Sequence, residues 1–189
     1  MTLITELFLV LTENLVLSYV FGIPSLLTAN GSRRKMALIG VLSAVFIFLG
    51  CTLTALMRPL LPAAHAELYL PLCSAILCGA LDVLFLLLLS SLMGIRAARA
   101  VPYLHASAFS SAVLGAILLN FEQNQTVRTA AAFGLRCGLG YLLVCAMLCC
   151  AAPVLYSRQM PAAVRGWRGM LLYTALLSMA AACIANSSV

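Results

Sequence analysis

Residues 101–121 read Val101-Pro102-Tyr103-Leu104-His105-Ala106-Ser107-Ala108-Phe109-Ser110-Ser111-Ala112-Val113-Leu114-Gly115-Ala116-Ile117-Leu118-Leu119-Asn120-Phe121. The stretch is long and apolar enough to cross a bilayer, yet it opens with a proline and carries His105, Ser107, Ser110 and Ser111 in its first half. A counterpart lies near the amino-terminal end, where Phe21-Gly22-Ile23-Pro24-Ser25 disturbs another apolar run. Two readings fit this pair. Pro24 and Pro102 either bound ordinary helices, the commonest use of proline at a helix end, or they mark two broken helices that meet near the middle of the membrane, as inverted repeats produce.

Working outward, the chain divides into six apolar runs, at about residues 7–27, 36–57, 68–93, 101–121, 129–152 and 169–185, each close to the ~20 residues a membrane helix needs. They use up most of the 189 residues. Hydrophobic residues make up 64% of the chain and charged ones only 8%, against about 25% in an ordinary soluble domain. The mean hydropathy is +1.11. The runs lack the alternation and turn spacing of a transmembrane barrel, so all six are expected to be helices. The predicted fold is therefore an all-α integral membrane protein of six transmembrane helices, a single domain over residues 1–189. Disturbed spans at positions 1 and 4 divide it as a 3+3 inverted repeat, about 1–93 and 94–189. The first run begins acidic, with Glu6 and Glu13, and lacks a basic leader and a small-residue cleavage site, so it is read as a retained span.

The formal charge of +6 follows topology. Loop 1 holds Arg33, Arg34 and Lys35, loop 3 holds Arg96 and Arg99, and loop 5 holds Arg158, Arg165 and Arg168; the opposite side holds only Arg58 and Arg128. The positive-inside rule then puts loops 1, 3 and 5 in the cytoplasm and both termini outside. No basic run exceeds Arg33-Arg34-Lys35 and no aromatics interleave with it, which argues against a nucleic-acid partner. All eight cysteines lie in apolar runs without C-x-x-C spacing, where thiols read as small apolar residues. No phosphate loop, dinucleotide fingerprint, H-E-x-x-H or catalytic carboxylate pair occurs, so a self-contained soluble-type enzyme is not expected and no catalytic residue is assigned.

Three charges fall at membrane depth, where each costs at least ~2.5–3.5 kcal/mol on insertion scales. Glu13 lies in span 1, Asp82 in span 3 and Arg136 in span 5. Asp82 and Arg136 could form an ion pair that fixes helix packing; alternatively Asp82, with Glu13 as a second candidate, serves an ion pathway for Na⁺ or H⁺. Gly134 and Gly138 form a G-x-x-x-G that lets a neighbouring helix come close. His105 is expected to sit at the interface or in a cap rather than to act as a ligand. Trp167, Tyr69, Tyr103, Tyr156 and Tyr173 fall near span ends, as anchors at headgroup level.

Several segments resemble the membrane subunit family shared by Rnf-type electron transport complexes and Na⁺-translocating NADH:quinone reductases, nearest the RnfA/NqrE type. They are Glu13-Asn14-Leu15-Val16-Leu17 with Phe21-Gly22-Ile23-Pro24, Ser111-Ala112-Val113-Leu114-Gly115-Ala116-Ile117-Leu118-Leu119-Asn120, and Met160-Pro161-Ala162-Ala163-Val164-Arg165-Gly166. The resemblance implies an integral subunit of a complex that couples electron transfer to Na⁺ or H⁺ translocation. Its implied partners are other redox subunits and a sister of opposite topology. It also implies a [2Fe-2S] cluster held by one cysteine in each broken helix and by two from the sister. In this chain those two positions fall at Pro24 and Ser111, and the stretch from Pro102 to Ser111 is longer than the family pattern. A chain without these thiols would serve in a divergent complex, keep only an ion or solute pathway, or use Cys51, Cys78 or Cys145 instead. The alternative to the redox subunit is a small inverted-repeat secondary transporter or channel-like homodimer, and a third reading is a purely structural scaffold.

Overall fold

The computed structural model describes residues 22–29, 32–60, 66–93, 100–123 and 126–186. Helix α1 is Ile23–Leu27, α2 Arg33–Met57, α3 Ala66–Met93, α4 Val101–Ala108, α5 Ser111–Glu122, α6 Val127–Leu155 and α7 Trp167–Asn186, with a short 3₁₀ turn over Arg58–Leu60. The described residues contain no strand. Among the described residues four stretches are long and apolar enough to cross a membrane: Arg33–Met57, Pro71–Ser91, Val101–Glu122 and Val127–Leu155. They coincide with the second to fifth predicted spans, and the sixth falls within α7. Of the first, only the end lies among the described residues, as α1; Glu6 and Glu13 lie outside them.

Helix α2 is the central rod, packed against α6, α5, α4 and α3. Its seam with α6 is built from small residues. A Cβ on Gly134 would stand 3.0 Å from the Cys51 Cβ and 3.2 Å from the Phe48 Cα, and one on Gly138 would stand 3.1 Å from the Ala44 carbonyl oxygen. Nearer the other end, Gly40 lies against Cys145, whose thiol donates to the Met36 carbonyl at 3.2 Å. The G-x-x-x-G of span 5 therefore does the packing expected of it: two backbones approach because no side chain holds them apart. Phe46 of α2 meets Phe85 of α3 with ring centroids 4.9 Å apart.

The cations mark the two ends of the bundle. Lys35 at the start of α2 lies over the Tyr103 ring at the start of α4, and Arg58 at the far end of α2 lies over Phe121 at the far end of α5. Helix α2 and the α4–α5 pair therefore run in the same direction. Helix α6 runs against them, since Gly134 in its first half packs near Cys51 while Cys145 and Cys149 reach back towards Met36 and Arg33. Large apolar side chains also line the outside: Leu72, Ile76, Val83 and Leu87 on α3, and Leu172, Leu176 and Met179 on α7, are all exposed. Helices apolar on every face suit lipid as surroundings, not water.

Span 4 is interrupted, and not by its proline. Pro102 occupies the first turn of α4, where a missing N–H costs nothing. The break comes at Phe109–Ser110. Ser110 turns extended (φ −67°, ψ 137°), and its hydroxyl accepts from the Ala112 N–H as the N-cap of α5. Pro24 likewise sits in the first turn of α1, and the backbone turns at the preceding Gly22, in the left-handed region at φ +84°. There the positive φ and crowding by Tyr141 and Ala112 both demand glycine. The plain use of proline as a helix opener thus holds at both places; a serine cap interrupts span 4, and a left-handed glycine stands immediately before α1.

Candidate functional site: a hydroxyl junction and a buried carboxylate

The turn before α1 and the break before α5 touch. The Gly22 N–H donates to Ser111 Oγ at 2.9 Å. Ser25 Oγ donates to the Gly22 carbonyl at 2.7 Å, and its oxygen lies 3.3 Å from both Ser110 Oγ and the Tyr141 hydroxyl. Because the Ser25 proton is directed at Gly22, Ser110 and Tyr141 are the donors in those two contacts. Tyr141 has the Gly22 carbonyl as a second acceptor at 3.3 Å. Four hydroxyls from three parts of the chain thus close around the backbone of one glycine. Three of their bearers, Ser25, Ser110 and Tyr141, are buried; Ser111 is exposed.

Both positions that the family resemblance assigns to cluster ligands lie at this junction. Pro24 is exposed and offers no ligating atom, and Ser111 presents a hydroxyl that already accepts from Gly22. The cysteines considered as substitutes are built into helix packing. Cys51 lies against Gly134 and its carbonyl accepts from Asn120 Nδ2 at 3.0 Å, Cys145 is spent on Met36, and Cys78 is buried in the core.

The second feature is Asp82, in the middle of α3 and only 5% exposed. Its carboxylate meets His105, not Arg136: Nδ1 of His105 lies 2.6 Å from Oδ2, in a contact between α3 and the last turn of α4. The other carboxylate oxygen, Oδ1, is buried and has no partner among the described residues. The imidazole is half-exposed, its side chain 46% accessible. His105 is the functional candidate that sequence reasoning undervalued. The signal available was its position one turn ahead of the serine-rich break, in a chain with two histidines. Glu13, the other acid assigned to an ion pathway, lies outside the described residues.

No model of a known protein family matches the sequence, and neither does any curated protein.

Proposed function

We propose that the chain is a six-span integral membrane subunit, folded as a 3+3 inverted repeat, of a divergent Rnf/Nqr-like complex that couples electron transfer to ion movement. The observation that carries this reading is the hydrogen bond between Gly22 and Ser111, 89 residues apart, which joins the turn before α1 to the break in span 4, a contact that an inverted repeat would make. The resemblance of the segments around Glu13–Pro24, Ser111–Asn120 and Met160–Gly166 supports it, and the eight-to-two division of cations supports loops 1, 3 and 5 in the cytoplasm with both termini outside. The partners are redox subunits and a sister of opposite topology. A [2Fe-2S] cluster does not fit this chain's half of the site, because Pro24 has no donor atom and the Ser111 hydroxyl, a far poorer iron ligand than a thiolate, is engaged by Gly22. In this reading the electrons pass through other groups, the junction ties the two repeats together, and Asp82 serves the ion pathway.

A second reading, a small secondary transporter or channel-like homodimer, is favoured by one observation: the junction is lined with hydroxyls, which suit a polar solute better than a metal cluster. Affinity purification from native membranes separates the two. The redox reading expects a coloured complex containing flavin- or iron–sulfur-bearing subunits and a sister of opposite orientation. A colourless homodimer that moves solute in liposomes would overturn it.

A further inference from the structure

We infer that Asp82 and His105 form a proton-loading site, in which the Nε2 atom of His105 takes and releases the proton while the buried carboxylate supplies the countercharge. This deepens the proposed function by naming the coupling ion as H⁺, and in that respect it rests on that reading; the existence of the site does not.

The division of labour follows from the contact. Nδ1 and Oδ2 lie 2.6 Å apart, a length expected of a charge-assisted bond, and in the proposed site Nδ1–H donates to the carboxylate. That bond fixes the tautomer and leaves Nε2 as the basic nitrogen, as a carboxylate does wherever it orients an imidazole. The ring is half-exposed and Asp82 is buried, so exchange takes place at the imidazole and not at the acid. When Nε2 is protonated, the pair is an imidazolium beside a carboxylate and is neutral overall. When the proton leaves Nε2, the Nδ1–H bond persists and the site carries one negative charge, with Oδ1 still without a partner among the described residues. A buried carboxylate in that state favours recapture of a cation, and the ring in contact with it can take a proton back at Nε2.

Sodium fits less well. It needs several oxygen ligands, and the contact this carboxylate makes is with a nitrogen. The other acids on the helices around the site stand at helix ends. Asp82's own helix carries Glu67 at its start, about 22 Å along the axis, together with Tyr69, Cys73 and Cys78. Of the helices packed against it, α2 brings Arg33, Arg34, Lys35 and Cys51, α4 brings Tyr103, and α5 brings Glu122 at its far end. His105 lies about 6 Å along α4 from Val101, on the side where Lys35 covers Tyr103. The proton is therefore exchanged with the membrane face that bears Arg33–Lys35.

The experiment uses the full chain in lipid nanodiscs with ¹⁵N-labelled histidine. His65 and His105 give two imidazoles, and His105→Gln identifies the second; because its ring is half-exposed, this variant is expected to fold. Across a pH titration, His105 should pass from the Nδ1–H tautomer to the imidazolium with Nε2 as the titrating nitrogen. A low-field Nδ1 proton signal should be present in the wild type and lost in Asp82→Asn. Infrared spectra should show the Asp82 carboxylate ionised throughout, and exchanging K⁺ for Na⁺ at constant ionic strength should leave the His105 midpoint in place. An Nε2–H tautomer, a ring that stays neutral throughout, an Asp82 that protonates in its place, or a midpoint that moves with Na⁺ would each overturn the assignment. The measurement needs no partner subunit. Copurification with redox proteins tests the proposed function separately, and either reading can fail alone.

Discussion

Replacing Gly134 by alanine adds one methyl group at the closest approach of α2 and α6. The new Cβ would lie 3.0 Å from the Cys51 Cβ, 3.2 Å from the Phe48 Cα and 3.4 Å from the Ile47 carbonyl oxygen. Carbon atoms pack best at about 3.5–4.0 Å, and two of the three neighbours are backbone atoms that no rotamer change can move. The helices must separate by roughly half an ångström along the seam, an overpacking of the kind that costs about 1–3 kcal/mol. Alanine returns about 1 kcal/mol as the better helix former, so the net loss is at most about 2 kcal/mol. Gly79 on α3 provides the matched control: a Cβ there meets nothing within 4 Å, so Gly79→Ala keeps the propensity gain without the clash. The two variants should differ by about 1–3 kcal/mol. At about 2–4 °C per kcal/mol for a chain of this size, thermal unfolding in detergent followed by circular dichroism should separate their midpoints by several degrees, with Gly79→Ala the higher. Gly138→Ala, whose Cβ would meet the Ala44 carbonyl at 3.1 Å but its Cα only at 3.5 Å, should fall between them. Equal midpoints for Gly134→Ala and Gly79→Ala would refute the glycine seam.

Gly22→Ala should lower the midpoint more than any of these, because the backbone is left-handed there and the Cβ would fall 2.5 Å from Tyr141 Cε2 and 2.9 Å from the Ala112 Cβ. Tyr141→Phe, which removes only hydroxyl contacts at 3.3 Å, should cost about 1 kcal/mol, read from the same melts. Asn120→Leu should be nearly neutral by the same assay, because it gives up the bond to Cys51 but also removes the buried, unpartnered Oδ1; Asn120→Ala should be worse, because it leaves a void. A reporter fused after Val189 should be active only outside the cytoplasm, as the distribution of cations requires, and cytoplasmic activity would reverse the assigned orientation.

The second to fifth span positions were legible because long apolar runs in a chain this poor in charge favour membrane helices, and the Gly134–Gly138 seam because closely spaced glycines have one common use on a membrane helix. The disturbed segments were legible too, but the residues responsible were not. Proline draws the eye, yet Pro24 and Pro102 merely open helices, while Gly22 and Ser110 turn the chain. The partner of Asp82 was hidden for a different reason. Helices that are apolar on all sides give no moment from which their rotation can be read. Arg136 was therefore preferred on charge alone, while the geometry brings in His105, only 23 residues along the chain. Tyr141 was missed because a tyrosine within a span looks like filler until two turns from elsewhere place their polar groups beside its hydroxyl.

The two features differ in what a ligand would have to displace. In hydrocarbon every backbone group freed by an interruption needs a partner inside the protein, and the junction supplies them. Gly22 N–H has Ser111, the Gly22 carbonyl has Ser25 and Tyr141, Ala112 N–H has Ser110, and Ser110 N–H reaches the Ser107 carbonyl at 3.3 Å. An ion entering there would have to break bonds already made, each worth about 1 kcal/mol net and more to leave unmade. Asp82 presents the opposite situation, with one carboxylate oxygen buried and without a partner among the described residues and the other held by a half-exposed imidazole. The self-satisfied junction is thus suited to holding α1, the break before α5 and α6 in register. At Asp82 on α3 the buried Oδ1 has no bond to any described residue that an incoming cation would have to break.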